Sequence, residues 1–312
     1  MQKYDNSGLW QGRSKAFYER SELIFGSKRS CGTRMADTKT SREGYQISEA
    51  ELKQIQEIQI DLIREVDRIC KKRGIHYNMV GGTMLGAIRH GGHIPWDDDA
   101  DIGFLRNEYE KFRNACKTEL DPDKYYMQDF RDTPGYRWGY GKLRRKGTEF
   151  VRLNQEQMPY EQGIFIDLMP FDPVPNNGII KKIHFFQCFA FRKVLWSAIG
   201  KKTEKNSIYR FNYLILSLIP ENIVKRLFTR FIQTGRNRKS DLVRILTFPT
   251  PKNCFGYKRE WYTKLKLYPF NELMLPGAKD YDGYLSVKYG SYMELPPADK
   301  RHVHPISHLK LL

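Results

Sequence analysis

Four aspartates stand within five residues at Asp97, Asp98, Asp99 and Asp101. Like charges this close repel one another unless a cation offsets them. Asp99 and Asp101 are two apart, so on a strand both carboxylates project from one face. Paired hard oxygen ligands of this kind suit Mg²⁺, or the similar Mn²⁺, in contact with substrate phosphates. Ile94, Pro95 and Trp96 lead into the acids, and Ile102 and Phe104 follow them, so they interrupt an apolar strand rather than line a solvated loop. A third candidate carboxylate, Asp167, is embedded in a second apolar strand over residues 163–170. About fifteen residues before the acids, Gly81, Gly82 and Thr83 open a helical pattern, where backbone N–H groups can approach a phosphate.

The elements that must hold these residues can be read in part. Ser48 and Glu51 form a capping-box pattern, followed by Leu52, Ile55, Ile58, Leu62, Val66 and Ile69 at steps of three and four. Lys71, Lys72 and Arg73 suit the end of that helix, and Gly74 stops it. An apolar strand is expected over residues 75–80. Asn107 with Glu110 is expected to cap a helix running to Leu120, before Asp121 and Pro122. Residues 125–130 read as a strand, and residues 139–153 as a hairpin turning at Lys146 and Gly147. On that hairpin Lys142 and Arg144 alternate onto one face, which makes them the side-chain candidates for a substrate's phosphates. Alternating strands and helices indicate a mixed α/β (α+β) sheet with covering helices.

The layout resembles the nucleotidyltransferase fold: Gly-Gly after a first strand, acid-x-acid on the second, a lone acid on a later one. Residues 81–102, Gly-Gly-Thr-Met-Leu-Gly-Ala-Ile-Arg-His followed by Ile-Pro-Trp-Asp-Asp-Asp-x-Asp-Ile, are similar to the signature of the LicD family. That family contains bacterial phosphorylcholine transferases and is related to the fukutin group of glycan phosphotransferases. Residues 164–172 and 289–297 match it too, so the resemblance spans roughly residues 48–304. It implies a nucleotidyltransferase-like core over residues 46–178. The reaction it implies moves a phosphate-linked small alcohol, such as phosphocholine, from a CDP-linked donor such as CDP-choline. The acceptor would be a hydroxyl of a glycan or lipid-linked glycan, with CMP leaving.

Carried over to this sequence, Asp99 and Asp101 are the bridging ligands of two Mg²⁺ ions, with Asp101 shared. Asp167 completes the second site or takes the acceptor's proton. Gly81, Gly82 and Thr83 cradle the donor diphosphate, and Lys142 matches a basic position of the family. Asp97 and Asp98 are expected to support the ligands by orienting Arg89 or His90, and Arg89 to brace the aspartate loop. Two other functions compete with it. A true nucleotidyltransferase would leave a nucleoside monophosphate on a small molecule or RNA end. A non-catalytic basic adaptor at a membrane would have no use for clustered acids.

The composition bounds the rest. A chain of 312 residues, 40% hydrophobic, can bury a sizeable core, and a net charge of +17 calls for acidic partners. Five scattered cysteines without Cys-x-x-Cys spacing argue against a disulfide framework and for a reducing cytoplasm. No stretch approaches the roughly 18 apolar residues of a membrane span, and residues 1–10 lack the apolar core of a signal peptide. The expectation is a cytoplasmic protein, peripheral on the inner face of the membrane. Residues 1–45 are polar and aperiodic and are expected to be poorly ordered. Residues 179–245 form a basic amphipathic helical segment; up to residue 240 it has fourteen Lys or Arg against two acids. Helices of that kind lie on anionic membrane surfaces or bury their apolar faces as core, and no nucleic-acid partner is expected. Residues 246–312, rich in Tyr and Trp, are expected to pack on the core, with His302, His304 and His308 in a surface tail.

Overall fold

The computed structural model describes residues 44–251 and 254–312. The expectation for residues 1–45 thus lies almost wholly outside the described residues.

The first helix, α1 (Glu49–Arg73), starts where the capping box places it. Glu51 N donates to the Ser48 hydroxyl at 3.3 Å, and Ser48 N donates back to the Glu51 carboxylate at 2.8 Å. Gly74 ends it at φ 62°, the left-handed conformation that glycine adopts without a side-chain clash. Its apolar stripe, Leu62, Ile63, Val66 and Ile69, enters the main core beside Ile102, Phe104 and Leu168.

The sheet beneath α1 contains β1 (Asn78–Met79), β2 (Asp101–Leu105), β6 (Phe165–Pro173), β4 (Gly141–Arg145) and β3 (Tyr125–Gln128), neighbours in that order. Strands β2 and β6 run parallel and the other neighbours antiparallel, which makes the sheet mixed. All nine residues of β6 are buried, as expected for a strand paired on both sides and covered on both faces. Its far end pairs with β7 (Leu242–Arg244), which pairs with β8 (Tyr257–Lys258). A mixed sheet with covering helices is the nucleotidyltransferase-like α+β architecture.

Three local expectations are corrected. The strand expected over residues 75–80 pairs only at Asn78 and Met79, with Val80 N bonded to Asp101 O at 3.2 Å. The helix expected to be capped by Asn107 is α3 (Arg106–Glu119), whose cap position falls two residues earlier, at Leu105, and has no side-chain cap bond. Buried Asp172 draws Arg106 into the helix start, donating Nε and Nη2 to its two oxygens at 2.8 and 2.6 Å. Glu110 pairs with Arg106 and Arg131 instead of capping, and the Asn107 side chain accepts from Arg236. The expected hairpin has its turn, with Gly147 at φ 81°, but its strands part. Both edges of β4 are taken by β3 and β6, so β5 (Glu149–Arg152) pairs with β11 (Ile306–Lys310).

That last pairing removes the C-terminal segment from the surface tail it was expected to be. Ile306 is buried with Ile55, Phe150, Ile164 and Phe165. Residues after 246 also enter the main core: Trp261, Tyr262, Tyr268, Phe270, Tyr284 and Leu285 lie in it. They come from the hairpin β9 (Leu265–Phe270) and β10 (Leu273–Ala278), the helix α7 (Tyr281–Tyr289) and the turn before β9. The basic segment forms α4 (Gly178–Thr203), α5 (Ser207–Ser217) and α6 (Glu221–Gly235). Helix α6 buries Val224, Phe228 and Ile232 in a second core with Phe130, Tyr136 and Leu246. Helix α5 buries only Tyr213, and the first half of α4 only His184 and Cys188.

Candidate active site

Sheet register assembles the acids. Asp101, the first residue of β2, stands directly opposite Asp167 on β6, and Asp167 stands opposite Lys142 on β4. Directly opposed residues share a face of the sheet, so the three side chains form one row across three strands. The Asp167 carboxylate forms a close ion pair with the Lys142 ammonium, which also lies over the Phe165 ring at 3.3 Å.

Asp99 precedes β2 rather than lying on it, and still joins the row. Its charge acts on both Asp101 and Asp167. Burial, followed by the charges of Asp99 and Asp167, pushes the Asp101 carboxyl well above the usual range, against the pull of Lys288 and Lys142. Burial likewise raises Asp167, against the pull of Lys142. Burial also lowers Lys142, to about 8. Negative charge has thus been gathered where desolvation opposes it.

Asp97 belongs to the same cluster. Burial, followed by the charges of Asp99, Asp98 and Asp101, raises its carboxyl well above the usual range. Asp98, expected to orient Arg89 or His90, instead accepts from His304 Nδ1 at 2.7 Å and His304 N at 3.3 Å, with Arg152 at 3.9 Å. Burial would raise its carboxyl, but Arg152 and His304 hold it below the usual range. Gln59 on α1 fixes the backbone by donating to Asp98 O at 2.8 Å. Arg89 donates to the carbonyls of Tyr292 and Glu294 at 2.8 and 3.3 Å, bracing α2 (Gly81–His90) against the segment after α7.

The glycine pair has a role that its sequence does not reveal. A Cβ on Gly81, whose φ is 59°, would lie 2.3 Å from Asp101 Oδ2, and one on Gly82 2.9 Å from Asp97 Oδ2. The missing side chains let two carboxylates lie against the start of α2, where the helix dipole favours negative charge. Thr83 Oγ1 accepts from Asp101 N at 2.7 Å, tying β2 to α2. The Gly81 N–H, expected to face a phosphate, donates to the Tyr284 hydroxyl at 2.9 Å. Arg144, the other phosphate candidate, is buried and donates to Gln128 Oε1 and Gly163 O at 2.8 and 2.7 Å, which makes it a brace between strands.

Three residues of the site, Lys288, Tyr284 and Arg152, escaped the sequence reading, and a fourth, His304, was expected in a surface tail. Lys288 on α7 lies 3.2 Å from the position of a Gly81 Cβ and acts on Asp101. Tyr284 stands one turn before it, and this i, i+4 pair was the only local signal. Arg152 lies 3.9 Å from both Asp98 and Asp99, and His304 3.8 Å from Asp99. Their partners are far away in sequence, so no local pattern revealed them.

Among the described residues, Asp98, Asp99 and His304 bring ligand atoms within 4.8 Å of one another, and buried Asp98 Oδ2 has no hydrogen-bond partner, a set whose hard oxygens suit a divalent cation; Asp101 and Asp167, expected as ligands, are not part of that group.

Comparison with known proteins agrees with the geometry. Over 274 residues, 84% of this chain and 98% of the relative, the sequence is 24% identical to the lipopolysaccharide cholinephosphotransferase LicD of Haemophilus influenzae. It is 31% identical to human ribitol 5-phosphate transferase FKRP over 121 residues, which cover 38% of this chain and 21% of FKRP. It is 34% identical to an uncharacterised protein of Rickettsia typhi over 170 residues, 46% of this chain and 49% of that one. Residues 74–197, which contain the acids, the glycine pair and Lys142, match the model of the LicD/FKTN/FKRP nucleotidyltransferase domain.

Proposed function

We propose that this protein transfers a phosphate-linked small alcohol, such as phosphocholine, from a CDP-linked donor to a hydroxyl of a cell-surface glycan precursor. The observation that supports it is the opposed pair Asp101 and Asp167, with Asp99 beside them and Lys142 behind, in the stretch matched by the transferase family. The relatives' names, cholinephosphotransferase and ribitol 5-phosphate transferase, share the transfer of a phosphate-linked alcohol.

In the proposed reaction an acceptor oxygen attacks the donor's β-phosphorus. The new P–O bond forms as the bond to the CMP oxygen breaks, and CMP leaves. The acceptor's proton passes to a carboxylate of the cluster. Asp99, Asp101 and Asp167 would hold Mg²⁺, which would supply charge neutralisation on the phosphate oxygens. Lys142 keeps Asp167 in place, and Lys288 and Arg152 put positive charge at the rim where a diphosphate arrives.

The test is incubation of the full chain with Mg²⁺, a panel of nucleotide-linked donors and glycan acceptors. Release of CMP with the alcohol phosphate on the acceptor, abolished by EDTA, is expected. Nucleoside monophosphate attached to the acceptor would overturn the proposal in favour of a nucleotidyltransferase.

A further inference from the structure

Helices α4 and α5 leave an unusual amount of apolar surface open. Ile179, Ile183 and Phe186 follow one another at steps of four and three along α4, and Ile208, Phe211, Ile215 and Leu218 at three, four and three along α5. Each set is therefore a stripe on one side of its helix. Ile179 is 74% exposed, Phe186 68%, Ile208 70% and Leu218 73%. Isolated exposed apolar residues are ordinary, whereas stripes of them mark a surface that meets something apolar. Helix α6 buries its own apolar stripe, Val224, Phe228 and Ile232, in the second core, so the exposure is not common to every helix of the segment.

Charge identifies the occupant. Residues 178–217 contain eight Lys or Arg and a single acid, Glu204, and that acid lies in the turn between the helices. A second copy of the chain would set two positive surfaces against each other. An acidic bilayer satisfies both features, with its acyl region against the isoleucines and phenylalanines and its head groups against the cations. Lys181 and Lys182, set between Ile180 and Ile183, have the long stems that let an apolar side sink while the charge stays in water. No helix among the described residues is long and apolar enough to cross a membrane. We propose that the α4–α5 pair docks this protein on an anionic lipid surface, lying in the head-group region. Strand β6, which carries Asp167, leads into α4 after four residues, so docking would hold the acid cluster near lipid-borne acceptors.

The experiment is co-sedimentation of the full chain with phosphatidylcholine vesicles and with vesicles containing roughly one-third phosphatidylglycerol. Binding at least about tenfold tighter to the anionic vesicles, weakened by salt, is expected. The double variant Phe211→Gln, Leu218→Gln replaces two exposed side chains outside the acid cluster. It should bind at least about tenfold more weakly, keep its circular dichroism spectrum, and release CMP from a soluble donor at the parent rate. That last readout separates failure of docking from failure of the proposed reaction. Three results would overturn the proposal: no binding to either vesicle, a variant that binds as well as its parent, or a concentration-dependent dimer that the variant dissociates.

Discussion

Asp101 and Asp167, 66 residues apart in sequence, are direct partners in the parallel pairing of β2 and β6. Neither strand alone makes a site. Their register places two carboxyls side by side, Asp167 buried and Asp101 half-buried, with Asp99 and Asp97 added from the turn ahead of β2 and Lys142 from the strand beyond.

The tightest approach in the cluster is at Gly81. Alanine there would have to keep a φ of 59° and place its Cβ 2.3 Å from Asp101 Oδ2. The strain is about 1–2 kcal/mol, and Asp101 would have to move. Transfer should fall at least about 100-fold, the scale of a 1 Å misplacement. Gly91→Ala is the control: at φ 70° with nothing near its Cβ, it bears the same strain and should keep its activity. Steady-state rates and thermal melts of the pair separate displacement of Asp101 from strain.

Lys288 lies over the same glycine and pulls the Asp101 carboxyl down. In the proposed reaction its charge would meet the donor's diphosphate. Lys288→Met should raise the KM for donor about tenfold, equivalent to about 1.4 kcal/mol. kcat should change by less than about threefold and the melting temperature hardly at all. An unchanged KM would remove Lys288 from donor binding.

The C-terminal half of β6 rests on the buried pair of Arg106 and Asp172. Removing the arginine alone strands a buried carboxylate, so Arg106→Leu should cost about 3–5 kcal/mol in denaturant unfolding. Replacing both, Arg106→Leu with Asp172→Leu, should recover most of that loss. If the single variant were as stable as its parent, the pair would not hold α3 to β6.

Legibility in the sequence followed distance along the chain. Helix α1 was readable to its caps because the capping box, the three-four period and the stop glycine all lie within one segment. The acids were readable because their types and spacing are local. The contact of His304 with Asp98 spans 206 residues and was read as a loose tail, because the pairing of β11 with β5 leaves no periodic signal. The hairpin failed for a related reason: a turn at Gly147 says nothing about which edges of β4 are already taken. Helices α5 and α6 both carry apolar residues at steps of three and four, yet of the two α6 alone buries that stripe in a core.

His184, on α4 against the Phe231 ring, gives a pH signature. Burial, followed by the charges of Arg244 and Arg238, pushes its pKa from 6.5 down to about 4. Above pH of about 6.5 both folded and unfolded chains hold it neutral. As pH falls toward 4 the unfolded chain takes up the proton first, so stability is lost, by up to about 3 kcal/mol over that window. Denaturant midpoints from pH 7 to 4 should show the decline, and His184→Gln should make it shallower. A variant with the parent's slope would assign the decline to other groups.

Mn²⁺ binding to the full chain, followed by electron paramagnetic resonance with and without a CDP-linked donor, tests most directly whether the acid row holds a divalent cation. The expected result is a bound signal in the parent that the donor strengthens. Asp101→Asn and Asp167→Asn should each weaken it by at least about tenfold. Parent protein that leaves Mn²⁺ free, or variants that bind it as tightly as the parent, would contradict a cation held between β2 and β6.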